Sequence, residues 1–383
     1  MIKKIYLDNA STTPLDEQVL KAMFPYFKEK YGNALSLHFL GQEAKDALTK
    51  SRQIIAKSIK ASPQEIIFTS GGTEANNFAL KGIAWANRKK GNHLITTKIE
   101  HKSILKTCDW LESQGFKISY LNVDKEGFVD LEELDKAITK NTILVSIIHG
   151  NNEIGTIQDL DKISKICKRH QVYFHTDACQ SYTKTEINLK KQKIDLITFN
   201  AHKIHGPKGI GALYIRKGTK IESWQHGGSH EFHLRAGTEN IPGIVGFAKA
   251  VEIAKKTDLT RLRKLRDKII DFVLKEIRGV RLNGPRGKKR LVNNINFSFK
   301  GIEGEALGAY LNQKGICTST ASACSSLTLE PSYVLQAIGL PPEEVNGSLR
   351  ISLSRFNTEE EIGYFIKVLP KIVAKLRNYS KLV

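Results

Sequence analysis

Short apolar runs alternate with amphipathic segments along the chain from about residue 45 to residue 216. Helical patterns such as 74-EANNFALKGIAWANRKKG-91 and 160-LDKISKICKRH-170 separate most of these runs. The alternation predicts an α/β fold in which helices cover both faces of a mainly parallel, seven-stranded sheet. The seven strand candidates are 65-EIIFTS-70, 93-HLITTK-98, 116-FKISYLN-122, 142-TILVSIIH-149, 171-QVYFHTD-177, 194-IDLITF-199 and 211-GALYIR-216.

The pattern changes after about residue 240. One more strand candidate, 292-VNNINFSF-299, lies among helical patterns that cover residues 241–278, 303–314 and 358–378. We therefore expect a smaller α+β domain beside the large one. The predicted boundaries are 15–255 for the large domain, and 1–14 together with 256–383 for the small one. The uncharged segment 317-CTSTASACSSLT-328, which is dominated by Ser, Thr, Ala and Cys, predicts a mobile loop over about 317–330 in the small domain.

The cysteines and the charge limit where the chain works and what it binds. Five cysteines in 383 residues are too few for a disulfide framework, and no apolar run has signal-peptide or membrane-span length. Both observations favour a reducing, cytoplasmic location without membrane association. The net charge of +20 is scattered along the chain without interleaved aromatic residues, so it predicts a solvated surface rather than a nucleic-acid site. Such a surface could attract an acidic protein partner.

A glycine-rich turn, 70-SGGTEANN-77, follows the first strand candidate and opens a helical pattern. Its two glycines let the backbone close around an anion, the N–H groups of a helix start favour negative charge, and Thr73 offers a hydroxyl. Because the turn lacks both the P-loop and the G-x-G-x-x-G spacing, it suggests a phosphate rather than a nucleotide. Taken alone, it is better explained as an ordinary strand–turn–helix cap.

Two ionisable residues stand at the ends of strand candidates. Asp177 closes an apolar run, where a carboxylate needs a cationic or hydrogen-bonding partner, whether structural or functional. Lys203 lies between two apolar runs, and desolvation there lowers the pKa of its amine, as a Schiff-base lysine requires. The lysine, the carboxylate and the phosphate-type turn together predict pyridoxal 5'-phosphate as cofactor.

Eight motifs, in order and without large gaps, carry a resemblance over nearly the whole chain. They are 6-YLDNASTTP-14, 100-EHKS-103, 149-HGNNEIG-155, 177-DACQ-180, 202-HKIHGPKGIGALY-214, 236-AGTEN-240, 328-TLEPSYVL-335 and 349-LRISLSRFNTEEE-361. The chain resembles the cysteine desulfurases of the iron–sulfur-assembly type, in the class V, fold type I group of pyridoxal-phosphate enzymes. The resemblance implies a homodimer that converts L-cysteine to L-alanine. It also implies an enzyme-bound persulfide that supplies iron–sulfur cluster assembly and, as a further use, tRNA thiolation.

The resemblance also implies a set of cofactor ligands. They are Lys203 for the aldehyde, Asp177 for the ring nitrogen, Gln180 for the phenolic oxygen, Gly72, Thr73 and His202 for the phosphate, and, for the same phosphate, Thr238 of the partner subunit. Asn152 would contact the cofactor or the substrate carboxylate. Asn200 stands at a further phosphate contact, where the family usually has serine.

Three more residues take catalytic or substrate-binding roles by resemblance. His101 would stack on the cofactor ring and move protons, since the pKa of a histidine lies near working pH. Arg350 would grip the substrate carboxylate, which suits a guanidinium fork. Cys324 would take the sulfur as a persulfide and hand it to an iron–sulfur scaffold protein that docks near its loop. Ala321 departs from the glycine that the family usually has three residues earlier.

Other residues offer competing assignments. Cys179 and Cys317 are alternative nucleophiles, whereas Cys108 and Cys167 lie in helical patterns and are most simply packing residues. Three histidines occur in 226-HGGSHEFH-233, but the glycines spoil a helical ligand face and no fourth ligand stands out. We therefore expect no metal site.

Two alternative functions stay open. Another enzyme of the same class, such as a selenocysteine lyase, a cysteine-sulfinate desulfinase or an aminotransferase, would use the same cofactor residues. A protein without enzymatic activity would keep the fold and use its basic surface for binding.

Overall fold

The fold was analysed in a computed structural model that describes residues 4–320 and 331–380. Twelve strands form in the described part: β1 (Ile5–Tyr6), β2 (Ile66–Thr69), β3 (His93–Thr97), β4 (Lys117–Leu121), β5 (Thr142–Ser146), β6 (Tyr173–Asp177), β7 (Leu196–Asn200), β8 (Gly211–Ile215), β9 (Val280–Leu282), β10 (Asn294–Phe299), β11 (Ile316–Cys317) and β12 (Ser348–Ser352). The same part contains thirteen α-helices: α1 (Glu17–Met23), α2 (Pro25–Lys28), α3 (Phe39–Ile59), α4 (Gly72–Ala86), α5 (Lys102–Ser113), α6 (Leu131–Ala137), α7 (Leu160–Arg169), α8 (Ile241–Ala254), α9 (Leu259–Glu276), α10 (Gly304–Gln313), α11 (Tyr333–Ala337), α12 (Pro342–Asn346) and α13 (Glu359–Ser380).

Seven strands form the central sheet in the order β2-β8-β7-β6-β5-β3-β4. From β7 to β4 all neighbours run parallel, whereas β8 runs antiparallel to both β2 and β7. β2 therefore points in the same direction as the five parallel strands. The predicted α/β fold and its mainly parallel seven-stranded sheet are confirmed.

Helices cover both faces of this sheet because successive strand residues point to opposite sides. In β5, Leu144 packs into the apolar layer that contains Phe78 of α4. Its neighbour Val145 packs into the opposite layer, with Phe247 of α8. No helix among the described residues is both long enough and apolar enough to cross a bilayer.

A second apolar core lies around a smaller, antiparallel sheet of order β12-β10-β9. Phe297 of β10, Leu265 of α9 and Phe365 of α13 belong to this core. A parallel pair, β1 with β11, joins the two ends of the chain. Strands of two or three residues, such as β1, β9 and β11, are too short to show a period and were not predicted. The domain boundaries stay a prediction.

The continuous helix expected over residues 241–278 is wrong. The structure has two helices, because the chain leaves the helical path between Ala254 and Leu259. The carboxylate of Asp258 accepts the backbone N–H groups of Thr260 and Arg261 at 2.9 and 3.1 Å. This is an N-cap, so Asp258 begins a new helix where the apolar pattern alone suggested continuity.

A buried ion pair joins helix α3 to the turn at residues 230–233, and the same turn is hydrogen-bonded to strand β2. Two guanidinium nitrogens of Arg52 lie 2.6 and 2.7 Å from the carboxylate oxygens of Glu231. The same carboxylate accepts the backbone N–H of Phe68 at 2.8 Å. Glu231, Phe232 and His233 have φ angles of 47°, 58° and 64°, the left-handed region that costs energy for residues other than glycine. The ion pair therefore holds a strained turn in place.

We expect Arg52→Met to destabilise the protein by about 3–5 kcal/mol, because it leaves the Glu231 carboxylate buried without a cation. Urea unfolding followed by circular dichroism measures the change. The control is Lys106→Met, which removes one member of an exposed pair with Asp109 and should change the unfolding free energy by less than about 1 kcal/mol. Equally small losses in the two variants would count against the role of the buried pair.

Candidate active site

Five predicted site residues lie at the carboxyl edge of the central sheet. Asp177 ends β6 and Asn200 ends β7, while His101 and Asn152 follow β3 and β5. Gly72 begins α4 directly after β2. Because these strands point the same way, the five residues meet at the edge where open α/β sheets bind ligands.

A cavity of about 220 Å³ opens at this edge. The structure also places Ser11, Asn76 and Ser103 in its wall, although the sequence had not indicated them as site residues. The predicted site residues that line the cavity are Gly72, Thr73, His101, Asn152, Asp177, Gln180, Asn200, His202, Lys203 and Arg350.

Asp177 is buried at the cavity wall and is held by two hydrogen bonds. Asn76 Nδ2 donates to Oδ2 at 2.7 Å, and the backbone N–H of Cys179 donates to Oδ1 at 2.9 Å. A buried carboxylate needs such partners, and they fix its orientation. Asn76 lies four residues after Gly72 in α4, so the helical period puts both on one face. That spacing is the sequence signal that could have identified Asn76.

A chain of hydrogen bonds continues from Asn76 to His101. Asn76 Nδ2 also donates to Ser103 Oγ at 2.9 Å, and that hydroxyl lies 2.8 Å from His101 Nδ1. The backbone N–H of Ser103 donates to the same Nδ1 at 3.1 Å. With Nδ1 as acceptor, the neutral imidazole carries its proton on Nε2. Burial lowers the pKa of His101, although the charge of Asp177 acts in the opposite direction. The lowered pKa favours this neutral form.

The N-terminal segment forms another wall of the cavity. Lys203 Nζ donates to the carbonyl oxygens of Ala10 and Ser11, the second at 2.6 Å. Gln180 Nε2 donates to the same Ala10 carbonyl at 2.8 Å. Thr13 Oγ1 donates to the backbone carbonyl of the residue before Lys203 at 2.8 Å. The side chains at residues 10 and 11 gave no sign of these contacts, because backbone carbonyls make them.

Arg350 is fully buried beside the cavity. Its Nη2 donates to Asp8 Oδ1 at 2.9 Å and to Ser11 Oγ at 2.7 Å, and its Nη1 donates to the carbonyl of Asn152 at 3.2 Å. Its Nε has no hydrogen-bond partner among the described residues. The other three contacts hold the guanidinium rigidly beside the cavity.

Gly72 and Thr73, at the start of α4, line the cavity at the turn predicted to bind a phosphate. Gly71 caps the helix without a side-chain hydrogen bond, so its first N–H groups keep their capacity to bind an anion. A Cβ on Gly72 would come within 2.6 Å of Cys179 Sγ, so this position requires glycine. Burial, followed by the charge of Lys203, lowers the pKa of the nearby His202 to about 3. His202 is therefore a neutral neighbour of the anion site.

The cysteines differ in their capacity to act as nucleophiles. Burial raises the pKa of the Cys179 thiol well above its usual range, and the Asp177 carboxylate adds to the effect. Cys179 therefore stays protonated and is a poor nucleophile. Cys317 lies in β11, within the segment predicted as a loop. Cys324 and the departure at Ala321 lie outside the described residues.

The Cys324 segment, residues 321–330, is flanked on both sides by described residues that contact the surroundings of the cavity. On one side, the backbone of Ser319 pairs with that of Arg350. On the other side, Ser332 Oγ donates to Glu153 Oε2 at 2.5 Å, and the Tyr333 hydroxyl donates to the carbonyl of Glu100 at 2.7 Å. Glu153 follows Asn152 and Glu100 precedes His101 in the chain, so Ser332 and Tyr333 contact direct neighbours of site residues.

Thr238 is the predicted cofactor ligand that this chain does not bring to the main cavity. It lines a different cavity of about 200 Å³ together with Ser70 and Arg235. Its expected contact with the phosphate in a partner subunit stays a prediction. Across residues 4–320 and 331–380, no three histidine, cysteine or acidic side chains come close enough to hold a metal ion.

The family model for class V aminotransferases matches residues 5–365 of the chain. The chain belongs to this family. One relative, cysteine desulfurase IscS of Dictyoglomus turgidum, is 51% identical over 383 residues, which cover 99% of this chain and 97% of the relative. A solved NifS-like protein superimposes with a TM-score of 0.91 at 40% identity, covering 98% of this chain and 100% of the other. A structure of SspA in complex with cysteine gives a TM-score of 0.83 at 35% identity, with 93% and 100% coverage.

Class V aminotransferases and their cysteine desulfurase members depend on pyridoxal 5'-phosphate, and the cavity fits this cofactor. It combines the amine of Lys203, the oriented carboxylate of Asp177 and an uncapped helix start at Gly72. Asn152 and Asn200 each have a buried side-chain oxygen without a partner among the described residues. Buried polar atoms of this kind indicate that the cavity is built for a polar ligand.

We expect Asn76→Ala to weaken cofactor binding about ten-fold, because it removes one of the hydrogen bonds that orient the Asp177 carboxylate. Titration of the apoprotein with pyridoxal 5'-phosphate, followed by absorbance, measures the affinity. The matched control is Asn77→Ala, because the neighbouring Asn77 donates only to a backbone carbonyl of its own helix. If the two variants bind the cofactor equally well, Asn76 does not orient Asp177.

Proposed function

We propose that the chain is a pyridoxal-phosphate-dependent L-cysteine desulfurase. It converts L-cysteine to L-alanine and keeps the sulfur as a persulfide on Cys324. One observation carries the proposal: an amine, an oriented carboxylate and a buried guanidinium line a single cavity in a chain that is closely similar to cysteine desulfurases. The sulfur then serves iron–sulfur cluster assembly, with tRNA thiolation as a further use.

Each cofactor-binding residue has one proposed task. Lys203 would hold the aldehyde carbon, Asp177 would hold the protonated ring nitrogen and Gln180 would donate to the phenolic oxygen. Asn152 would contact the cofactor or the substrate carboxylate. The phosphate contacts come from Gly72, Thr73, Asn200 and His202, and in the dimer from Thr238 of the partner subunit.

His101 moves the protons of the reaction. When bound, the cofactor supplies an electron sink that labilises the bonds to the substrate α-carbon. His101 would stack on the cofactor ring and would transfer protons to and from the substrate. Its hydrogen bond with Ser103 fixes which ring nitrogen carries the proton, and burial keeps the imidazole neutral and able to accept one.

Arg350 and Cys324 act on the two ends of the substrate. The Arg350 guanidinium binds the carboxylate, and its contacts with Asp8 and Ser11 hold it in place for this task. The thiolate of Cys324 attacks the substrate sulfur, the S–S bond forms as the C–S bond breaks, and the electron pair of that bond stays with the former cysteine β-carbon. A proton then completes alanine.

The exposed apolar side chains between residues 15 and 39 support a homodimer. Large exposed apolar patches on soluble proteins commonly mark interfaces, and two subunits would complete the phosphate site through Thr238. These side chains are Leu15, Leu20, Phe24, Phe27, Tyr31, Leu35, Leu37 and Phe39.

An iron–sulfur scaffold protein docks near the segment that contains Cys324. The protein works in the cytoplasm.

We expect Cys324→Ala to keep the yellow cofactor but to lose sulfide release from L-cysteine, because the thiol that accepts the sulfur is gone. The visible spectrum and a sulfide assay with a thiol reductant measure the two properties. Cys179→Ala and Cys317→Ala are the matched controls. Loss of turnover in either control, with turnover retained in Cys324→Ala, would assign the nucleophile to a different cysteine.

Substrate comparison separates the desulfurase from related enzymes. Turnover of L-cysteine that requires Cys324 supports the proposal, whereas selenocysteine turnover that does not require it points to a selenocysteine lyase. A colourless protein that stays colourless after addition of the cofactor would indicate a binding protein that has only kept the fold.

We expect kcat/KM to fall on the acid side at a pH below the usual range for histidine. The pKa of His101 is lowered, so the neutral base persists as pH falls and is lost only when pH passes through the lowered pKa. His101→Gln should reduce turnover about 10²–10⁴-fold and remove this acid limb from the pH profile. A variant profile with the acid limb unchanged would assign the ionisation to another group.

A further inference from the structure

Lys184 lies directly behind the proposed cofactor-binding lysine. Its ammonium donates to the backbone carbonyl of Gln180 at 2.9 Å and to that of Lys203 at 3.3 Å. Lys184 and Lys203 also line one small cavity of about 40 Å³. The two lysines therefore share a confined space, although only Lys203 lines the main cavity.

The turn that carries Lys184 is fixed to the end of β6. The backbone N–H of Tyr182 donates to the carbonyl of Ala178 at 2.8 Å, and that of Lys184 donates to the carbonyl of Ser181 at 2.9 Å. Tyr182 is buried, and its hydroxyl lies 2.7 Å from Ser58 Oγ of α3. The turn starts directly after Asp177, so its position is set by the strand that also places the cofactor carboxylate.

The groups around Lys184 are largely cationic or neutral, and the carboxylate of Asp16, which acts on the neighbouring His205, is paired with Arg355. His205 and Arg355 line the same small cavity, and Cys179 and His202 interact with the Lys184 charge through space. Burial, followed by the charge of Lys203, lowers the pKa of Lys184 to about 7. Two ammonium groups in such surroundings repel each other, so a charge on Lys184 disfavours a charge on Lys203.

We propose that Lys184 is a positioning residue for Lys203. Its ammonium holds the Lys203 and Gln180 backbones together, and its positive charge favours the unprotonated nitrogen of Lys203. Bond formation with the cofactor aldehyde requires an unprotonated amine, so the charge behind Lys203 promotes cofactor attachment. The inference rests on the proposed role of Lys203 as the cofactor-binding lysine, and it adds a second lysine to that site.

The test is a pH titration of the visible spectrum of the holoenzyme, because the absorbance reports protonation of the nitrogen that joins Lys203 to the cofactor. Removal of the charge in Lys184→Met should raise the apparent pKa of this transition by about one pH unit. Lys184→Gln keeps an N–H donor without the charge and should show the same shift. Lys184→Arg keeps the charge and should titrate like the unaltered protein.

The surface control is Lys190→Met, which removes an exposed lysine six residues further along the chain and should leave the titration unchanged. Titrations of Lys184→Met and Lys184→Gln that coincide with the unaltered protein would overturn the proposal. Equal shifts in Lys184→Gln and Lys184→Arg would overturn it as well, because the charge would then not be the cause. If Lys184→Met does not fold, the comparison of the Gln and Arg variants decides the question.

The titration needs the bound cofactor but not the cysteine reaction. A charge-dependent shift in a protein that releases no sulfide would therefore support the role of Lys184 and contradict the desulfurase function. An unchanged titration in a protein that releases sulfide would contradict the role of Lys184 and support the desulfurase function.

Discussion

The buried carboxylate of Asp177 is the group around which the cavity is arranged. A charge at the end of β6 has to be compensated, and Asn76 supplies the main hydrogen bond from the neighbouring helix. Through Ser103 the same amide reaches His101, so one hydrogen-bond chain orients both the group that we propose for the ring nitrogen and the group that we propose for proton transfer. The direction of the parallel strands makes this possible, because it brings β2, β3 and β6 to a common edge.

Much of the fold and of the candidate site was predictable from the sequence. Long apolar runs with regular spacing give a strong signal, so the sheet and most of its helices were found. Ionisable residues at strand ends carry a cost that the chain must offset, and this made Asp177 and Lys203 conspicuous. The resemblance to a known family added residues such as Gln180 and Arg350, and the cavity contains both.

The parts that sequence reasoning missed depend on contacts between distant segments. Asn76 belongs to the helical pattern after the glycine-rich turn, and only its place opposite Asp177 gives it a task. Ala10 contributes through its carbonyl oxygen, which every residue type has. The break between α8 and α9 was missed because both segments carry a helical pattern, whereas the Asp258 cap starts a separate helix. In each case a tertiary or capping interaction decided the outcome.

The N-terminal wall of the cavity joins the first and last parts of the chain. Asn9 donates to the carbonyl of Ser352 at 2.8 Å, and Asp8 accepts from Arg350. The ribosome makes the N-terminal segment first and β12 more than three hundred residues later, as their separation of 343 positions shows. A nascent chain can therefore build the central sheet before its cofactor cavity is complete. The N-terminal wall of the cavity is therefore complete only when β12 has been translated and pairs with residues 8 and 9.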